Sequence, residues 1–261
     1  MTAIALTIAG SDSSGGAGIQ ADLKTFAAFG VYGASAITAL TAQNTVGVRS
    51  IADVDPQFVA NQIDAIVEDL EVGAAKTGML ARVAVIEAVA DRLRTHRLPY
   101  LVVDPVMVAT SGDVLLEPEA LTALREKILP LATLLTPNLR EAEILTGRPV
   151  TNPAQMRDAA RTLIESGVRA VLVKGGHLAD DALDILYDSQ SFREFSAPQI
   201  ATRNTHGTGC TLSAAITACL ARGFSLEESV AAGKRYITRA IATAPGIGHG
   251  SGPVNHFASA D

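Results

Sequence analysis

The chain has 261 residues, of which 48% are hydrophobic, and a formal net charge of −6 at pH 7. This length is sufficient for one large α/β domain with a buried core. The acidic balance and the scattered Lys and Arg residues argue against a nucleic-acid-binding face. No apolar run approaches the roughly 20 residues of a membrane span. We therefore expect neither nucleic acid nor a membrane as a partner.

Strand and helix patterns alternate along the chain, which predicts an α/β fold with a mostly parallel sheet and helices on both faces. Strands are predicted over residues 3–9, 34–40, 72–76, 100–103, 134–136, 170–173, 184–188 and 193–196. Helices are predicted over residues 19–29, 83–93, 156–166, 212–220 and 225–244, and from residues 56 and 139 onward. No repeat, linker or low-complexity segment interrupts this pattern, so we expect a single domain over residues 1–261.

The cysteines and the first strand predict a location in the cell. Residues 1–9 lack a basic leader and are interpreted as a buried strand, not as a signal peptide. Cys210 and Cys219 lie nine residues apart on one predicted helix. At about 100° per residue they point to roughly opposite sides, so a disulfide between them is implausible. Two free thiols predict a reducing cytoplasm.

A glycine-rich turn that becomes a helix, residues 204–213 with the sequence NTHGTGCTLS, is the most informative stretch. Gly207 and Gly209 leave the backbone bare, so that an anion can approach the peptide N–H groups closely. A helix N-terminus carries unpaired N–H groups and a partial positive charge, and phosphate is its usual anion. Cys210 stands at this helix end, where we expect a lowered thiol pKa. A glycine-rich cap with a buried cysteine is the alternative.

Polar clusters follow several predicted strands, where open α/β sheets bind their ligands. The first is the glycine-rich segment 10–18, with Asp22 one helical turn further on. It matches a loosened dinucleotide fingerprint, but no Asp or Glu occurs between Asp22 and Asp53 to bind a ribose, so a small-molecule loop fits better. Asp22 has an alternative role as compensation of the helix dipole. Gln43 offers a donor and an acceptor to a heteroaromatic ring such as an aminopyrimidine, unless this stretch is only a turn capped by Asn44.

Three further clusters carry charged side chains suited to a nucleotide and a metal. Asp104 lies at the end of a predicted strand and can bind a magnesium ion through water. Asp before Pro is, however, also common in turns. Asn138 and Glu141 have the spacing of one face of a first helical turn, which is also that of a capping box, and the two roles can coexist. Lys174 precedes two glycines at a strand end, where it holds a phosphate or lies in a solvated turn.

Patterns that would indicate other chemistries are absent from the sequence. No P-loop sequence ending in GKS or GKT occurs, and neither GxSxG nor CxxC is present. The histidines are isolated, without metal-ligand spacing, and are interpreted as non-ligands.

Taken together, the clusters resemble the ribokinase-like superfamily and, within it, the hydroxymethylpyrimidine/phosphomethylpyrimidine kinase family of thiamin biosynthesis. The resemblance covers nearly the whole chain and includes the segments GGAGIQADLKT, TPNLREAE, KGGH and NTHGTGCTLSAAI. It implies a ribokinase-like three-layer α/β/α sandwich and ATP with Mg²⁺. It further implies phosphorylation of 4-amino-5-hydroxymethyl-2-methylpyrimidine and then of its monophosphate, by a homodimer.

The same resemblance implies roles for individual residues. The pyrimidine would be held by Gln43, Gly10 and Asp22. The anion hole for the transferring phosphoryl group would consist of the amides of Gly207, Thr208, Gly209 and Cys210. Lys174 and Asn138 would bind the nucleotide phosphates, and Glu141 and Asp104 would serve magnesium.

Two other functions remain open from the sequence. Most of the superfamily has an Asp as general base where this chain has Cys210, and a cysteine there is typical of the pyrimidine kinases and of some pyridoxal kinases. Pyridoxal kinase activity on the same fold is therefore the nearest alternative. A non-catalytic module that binds a vitamer is the alternative from another class, against which the complete anion hole argues.

Overall fold

The computed structural model describes residues 2–107, 115, 117–176 and 181–260. Nine strands occur in this part of the chain: β1 (Ile4–Asp12), β2 (Tyr32–Gln43), β3 (Val48–Asp53), β4 (Ala74–Thr77), β5 (Leu101–Val103), β6 (Leu134–Leu135), β7 (Val171–Gly175), β8 (Leu183–Tyr187) and β9 (Phe192–Phe195). They form one sheet in the order β3-β2-β1-β4-β5-β6-β7-β8-β9. The six strands from β2 to β7 in this order pair in parallel, and β3, β8 and β9 pair antiparallel to their neighbours. The predicted mostly parallel sheet is confirmed.

Helices cover both faces of the sheet. The described α-helices are α1 (Gly18–Ala28), α2 (Pro56–Val67), α3 (Val83–His96), α4 (Pro118–Ala123), α5 (Leu139–Thr146), α6 (Pro153–Ile164), α7 (Thr208–Ala221) and α8 (Leu226–Ala242), and a π-helical turn (Leu124–Ile128) and a 3₁₀ turn (Leu129–Leu131) follow α4. In β7, Val171 and Val173 pack into the core with α2 to α6, whereas Leu172 packs into the core with α1, α7 and α8. This alternation follows from the two-residue period of a strand, and it confirms the three-layer α/β/α sandwich.

Several elements differ from the sequence-based expectation. β1 continues to Asp12, so residues 10–12 belong to a strand and not to a loop, because pairing with β2 resumes after an irregularity between Ala9 and Ser11. The edge strand β3 was not predicted, since its residues are exposed along most of its length and show no buried apolar face. The short helix α4 was also missed.

The functional residues lie where the parallel strands end. β1, β4, β5 and β7 present their carboxyl ends at the same edge of the sheet, and α1, α5 and α7 begin there. None of the described helices has the length and apolar character that crossing a membrane would require.

Candidate active site

A cavity of about 830 Å³ opens at the carboxyl edge of the sheet. Ten of the eleven residues predicted to form the site line it, namely Gly10, Gln43, Asp104, Asn138, Glu141, Lys174, Gly207, Thr208, Gly209 and Cys210. Asp22 is the exception. Residues 110–112 and His177, which adjoin two of the predicted clusters, lie outside the described residues. The sheet topology thus brings together segments that are distant in the sequence.

The N-terminus of α7 faces this cavity without a side-chain cap. Gly207 precedes the helix with φ 78°, a left-handed conformation that favours glycine, and as the N-cap residue it offers no side chain to the first amides of the helix. The amides of Gly209 and Cys210 belong to the first turn, where a helix has no carbonyl of its own to receive them. This helix end therefore retains the N–H groups and the partial positive charge that bind an anion.

A charged pair lies directly beside that first turn. Lys174 Nζ is 3.1 Å from Asp104 Oδ1, and Ser213 Oγ donates to Asp104 Oδ2 at 3.2 Å. A Cβ atom on Gly209 would lie 3.2 Å from Lys174 Nζ. Burial opposes both charges, but Lys174 and Lys76 lower the pKa of Asp104, and Asp104 raises that of Lys174. The absence of a side chain on Gly209 thus leaves the helix amides open toward an ammonium group.

Asn138 and Glu141 serve as a helix cap while lining the cavity. Asn138 Oδ1 accepts from the Glu141 amide at 2.9 Å, and Glu141 Oε2 accepts from the Asn138 amide at 2.8 Å. Burial raises the pKa of Glu141 to about 7, although the Lys174 charge opposes the shift. The capping-box alternative is therefore present together with a position in the cavity.

The carboxylates that line the cavity suit a magnesium ion that also binds phosphate oxygens. Among the residues that the structure describes, no group of three or more His, Cys, Asp or Glu side chains could hold a metal by itself. Mg²⁺ usually keeps several waters and takes one or two carboxylates plus substrate phosphates. Asp104 and Glu141, both near Lys174, supply two carboxylates of this kind. Glu141, with a pKa near neutrality, is a carboxyl that a cation would hold in its ionised form.

The structure does not bring Asp22 into the wall of the cavity. Both of its carboxylate oxygens lie 2.9 Å from Lys76 Nζ, Thr7 Oγ1 donates to one of them at 2.6 Å, and the Asp22 and Lys76 side chains are 0% exposed. Asp22 also lies beyond the first turn of α1, which holds no acidic residue, so dipole compensation there is wrong as well. Lys76, which the sequence analysis passed over, lines the cavity instead. The occurrence of Lys76 within the otherwise apolar start of β4 was the signal in the sequence that could have identified it as a site residue.

The expectation of a lowered pKa at Cys210 is wrong. Burial raises the pKa of the thiol to about 11, which outweighs the opposing effects of the Lys76 charge and of a hydrogen bond from the Gly18 amide. The Asp104 and Asp22 carboxylates raise it further. The thiol is therefore neutral at pH 7, because desolvation of the thiolate exceeds its stabilisation by the nearby ammonium groups of Lys76 and Lys174.

One end of the cavity suits a small ring. Gln43 lies at the end of β2, where its Oε1 accepts from Thr41 Oγ1 at 3.1 Å. A Cβ on Gly10 would lie 2.6 Å from Met79 Cε, so a side chain there would displace the end of Met79. The Asn44 side chain accepts from two amides of the following turn, so the predicted turn cap exists beside Gln43.

The opposite end is apolar and lies beside a third ion pair of the cavity. Lys234 Nζ lies 2.8 Å from Asp184 Oδ2, and the Gly175 amide donates to Asp184 Oδ1 at 3.1 Å. Apolar side chains line this end, contributed by Pro198, Ile200, Ile237 and Ile241. Sequence reasoning missed these residues, since apolar positions on α8, which carries Ile237 and Ile241, or in a connecting segment, which carries Pro198 and Ile200, look the same whether they face a core or a ligand.

Comparisons of sequence give a consistent family. A family model described as phosphomethylpyrimidine kinase matches residues 12–255. A hydroxymethylpyrimidine/phosphomethylpyrimidine kinase of Rhizobium meliloti is 56% identical, with 98% of each chain covered. The enzyme of the same name from Escherichia coli is 49% identical, with 97% of each chain covered.

Solved structures with the same architecture include a pyridoxal kinase and a phosphomethylpyrimidine kinase. An ADP complex of Bacillus subtilis pyridoxal kinase matches with a TM-score of 0.92 and 41% identity, covering 99% of this chain and 98% of that one. A phosphomethylpyrimidine kinase from Clostridium difficile matches with a TM-score of 0.82 and 46% identity, covering 91% of this chain and 99% of that one.

Proposed function

The chain belongs to the phosphomethylpyrimidine kinase family, and from this premise we propose that the cavity at the carboxyl edge of its sheet carries two successive phosphoryl transfers. The enzyme phosphorylates a hydroxymethylpyrimidine and then the monophosphate in thiamine biosynthesis, with ATP as the donor. The family expected from the sequence is thereby confirmed. How the individual residues perform these transfers is our proposal.

The position of Lys174 against the start of α7 is the observation that best supports the transfer site. The side-chain-free Gly209 faces Lys174 Nζ, so that a phosphoryl group there would meet amides on one side and an ammonium group on the other. Phosphoryl transfer depends mainly on positioning and on stabilising charge on the equatorial oxygens. The amides of Gly207, Gly209 and Cys210 and the Lys174 ammonium would supply both, whereas the Thr208 amide already donates to the Thr205 carbonyl at 3.2 Å.

Magnesium would be held by Asp104 and Glu141 at the nucleotide phosphates. When bound, it would neutralise charge on the phosphate oxygens. Asn138, by capping α5, keeps Glu141 in place. The nucleotide phosphates would lie between Asn138 and Lys174, and the adenine would occupy the apolar end beside Ile237 and the other apolar residues there.

The pyrimidine would bind at the Gly10 and Gln43 end, within reach of Cys210. Lys76 faces this end, and Asp22 contributes indirectly by holding Lys76. The neutral Cys210 thiol suits the second transfer, because a thiolate would repel a phosphate monoester, which is mostly a dianion at pH 7. In the first transfer the acceptor alcohol loses a proton, which the small thiolate fraction of Cys210 would receive, because the neutral thiol cannot accept one.

The test is ADP release that depends on the pyrimidine, with the products identified by mass spectrometry. We expect hydroxymethylpyrimidine to give first the monophosphate and then the diphosphate. Lys174→Met, purified in parallel, should give neither product and so excludes a contaminating kinase. Acceptor-independent ADP release, or products formed equally by Lys174→Met, would contradict the proposal.

Pyridoxal is a second candidate acceptor. It is favoured by the close structural match to the Bacillus subtilis pyridoxal kinase, whose TM-score exceeds that of the Clostridium difficile phosphomethylpyrimidine kinase. The same assay with pyridoxal in place of the pyrimidine tests it. A kcat/KM within tenfold of the pyrimidine value would support a dual enzyme, and no turnover would remove this candidate.

We further propose a homodimer that uses the sheet edge at β3. This strand has no described neighbour on its outer side, and Leu40, Val46 and Ile51 near it are 49%, 66% and 41% exposed. Exposed strand edges readily pair with a second chain. Light scattering should give twice the 27.0 kDa mass of the chain, and Ile51→Lys should reduce it to the monomer mass.

We place the enzyme in the cytoplasm, which the two free thiols support.

A further inference from the structure

Two glycine-rich segments from distant parts of the chain touch beside the cavity. They are residues 12–18, which lead into α1, and residues 204–209, which lead into α7. A Cβ atom on Gly207 would overlap the carbonyl oxygen of Gly16, and one on Gly16 would overlap the ring of His206. The contact is therefore as close as bare backbones allow, and the position of one segment fixes that of the other.

A buried carboxylate organises the first of these segments. Asp12 accepts hydrogen bonds from the amides of Ser14, Gly16 and Ala17 at 2.8, 3.1 and 2.8 Å. Its Oδ2 also lies 2.8 Å from His206 Nε2, and the two residues are 2% and 5% exposed. Burial opposes the charge, but hydrogen bonds from His206 and Ser14 lower the pKa of Asp12 to about 2. One ionised carboxylate thus holds the loop together and binds the other segment to it.

His206 is fixed from its backbone side as well. Its amide donates to the Gly252 carbonyl at 3.1 Å, and its own carbonyl accepts from the Val254 amide at 3.4 Å. The next residue, Gly207, precedes the first turn of α7. The ring and the peptide of His206 therefore connect three segments of the chain at the point where the proposed anion hole begins.

We propose that His206 is a positioning residue for phosphoryl transfer, whose ring, held by Asp12, sets the first turn of α7 against the loop that leads into α1. The amide of Gly18, at the end of that loop, also contacts the Cys210 sulfur. The His206 contact thus sets the distance between the acceptor end of the cavity and the amides of residues 207–210. This role rests on the anion hole proposed above. Sequence reasoning treated His206 as isolated, because its partner lies 194 positions away.

The geometry predicts which kinetic constant responds. Gln43 lies on β2 and Lys174 on β7, so the acceptor and the nucleotide keep their own contacts when the first turn of α7 shifts. A displacement of about 1 Å at reacting groups can reduce turnover about 10²-fold. Loss of the His206 ring should therefore reduce kcat by about 10²-fold on both acceptors and leave both KM values within about threefold.

The experiment compares variants of two buried histidines near the start of α7, of which His206 contacts Asp12 and His256 contacts Thr211. His206→Ala removes the contact with Asp12, and His206→Gln retains an amide nitrogen that can donate to it. His256 is the matched control, because its Nε2 lies 3.0 Å from Thr211 Oγ1 on the same end of α7 but the residue does not contact Asp12. Steady-state kinetics with both acceptors and thermal melting are measured on each purified variant.

We expect His206→Ala to lose about 10²-fold in kcat and His206→Gln to recover at least tenfold of that loss. His256→Ala should melt at a lower temperature while its kcat stays within about threefold of wild type. Wild-type kcat in His206→Ala, failure of His206→Gln to recover activity, or equal kcat losses in the two alanine variants would overturn the inference. Full turnover by Gly209→Val would instead refute the anion hole itself, so the two failures are distinguishable.

Discussion

Each lysine that lines the cavity has its Nζ 2.8 to 3.1 Å from a carboxylate oxygen of an aspartate. The pairs are Lys76 with Asp22, Lys174 with Asp104, and Lys234 with Asp184. Taking both charges out of water opposes folding, and removing only one of them leaves the other unpaired, which is more destabilising still. The lysines are therefore held in place before any phosphate arrives, which is the preorganisation that electrostatic stabilisation of a transition state requires.

The pairing of Asp22 leads to a prediction about stability. Asp22→Asn should lower the free energy of unfolding by about 3–5 kcal/mol, because Lys76 would remain buried without its counter-charge. Urea unfolding measures this loss, and calorimetry with the pyrimidine measures binding to the folded variant. If Asp22 instead contacts the pyrimidine directly, the variant will unfold like the wild type and lose only pyrimidine affinity.

The raised pKa of Cys210 leads to a prediction about pH. If this thiol accepts the alcohol proton, the reactive thiolate fraction increases about tenfold for each pH unit below the pKa of about 11. The kcat/KM for the alcohol should then rise with a slope near one between pH 7 and 9, and Cys210→Ala should abolish the slope. The monophosphate, already a dianion, should show no such rise. A flat profile with the alcohol in the wild type would exclude Cys210 as the base.

At the scale of elements, the buried strands could be predicted from sequence, whereas the exposed edge strand and the side-chain contacts between elements could not. Apolar runs reveal β1, β4 and β7, and ligand-binding groups follow them because parallel strands end at one edge. β3 escapes prediction because its exposed residues carry no apolar period. Contacts such as Lys76 with Asp22 depend on which helix crosses which strand, and no spacing in the sequence encodes that.

His256 of the C-terminal segment contacts Thr211 of α7, and this contact gives a prediction about stability at low pH. Burial lowers the pKa of His256 to about 4 from an ordinary value of 6.5, and the nearby Lys24 charge adds to the shift. The unfolded chain therefore binds a proton that the folded chain does not, so stability is complete above pH 6.5 and falls as the pH decreases toward 4. The loss from this group should reach about 3 kcal/mol.

Urea unfolding at pH 7 and pH 4.5, for the wild type and for His256→Gln, measures this effect. The variant should be less stable at pH 7, but its stability should fall less between the two pH values. Identical pH dependence in the two proteins would show that His256 titrates alike in the folded and unfolded chains.

At the scale of the whole molecule, the two hydrophobic cores occupy opposite faces of one sheet. Strands β1, β4 and β7 contribute side chains to both cores. We therefore propose that residues 1–261 form a single domain that unfolds cooperatively. Circular dichroism and tyrosine fluorescence should report coincident urea transitions, and two separated transitions would contradict this proposal.

The cavity is lined by residues from both halves of the chain, and its central feature is the close approach of Gly209 to Lys174. A valine at Gly209 would fill the space between the α7 amides and Lys174 Nζ. Gly176 is the control, since it also lines the cavity, and a Cβ there would meet none of the described residues within 4 Å. Gly176→Ala should keep near-wild-type turnover, which shows that the cavity tolerates a substitution without a clash.

The most direct measurement is therefore kcat of Gly209→Val with the hydroxymethylpyrimidine and, separately, with its monophosphate. Losing one anion-hole donor typically reduces turnover by about 10²–10³. If one anion hole serves both transfers, both turnover numbers should fall by about that factor while the melting temperature stays near that of the wild type. Wild-type turnover with either acceptor would contradict the proposal that both phosphoryl groups pass through this site.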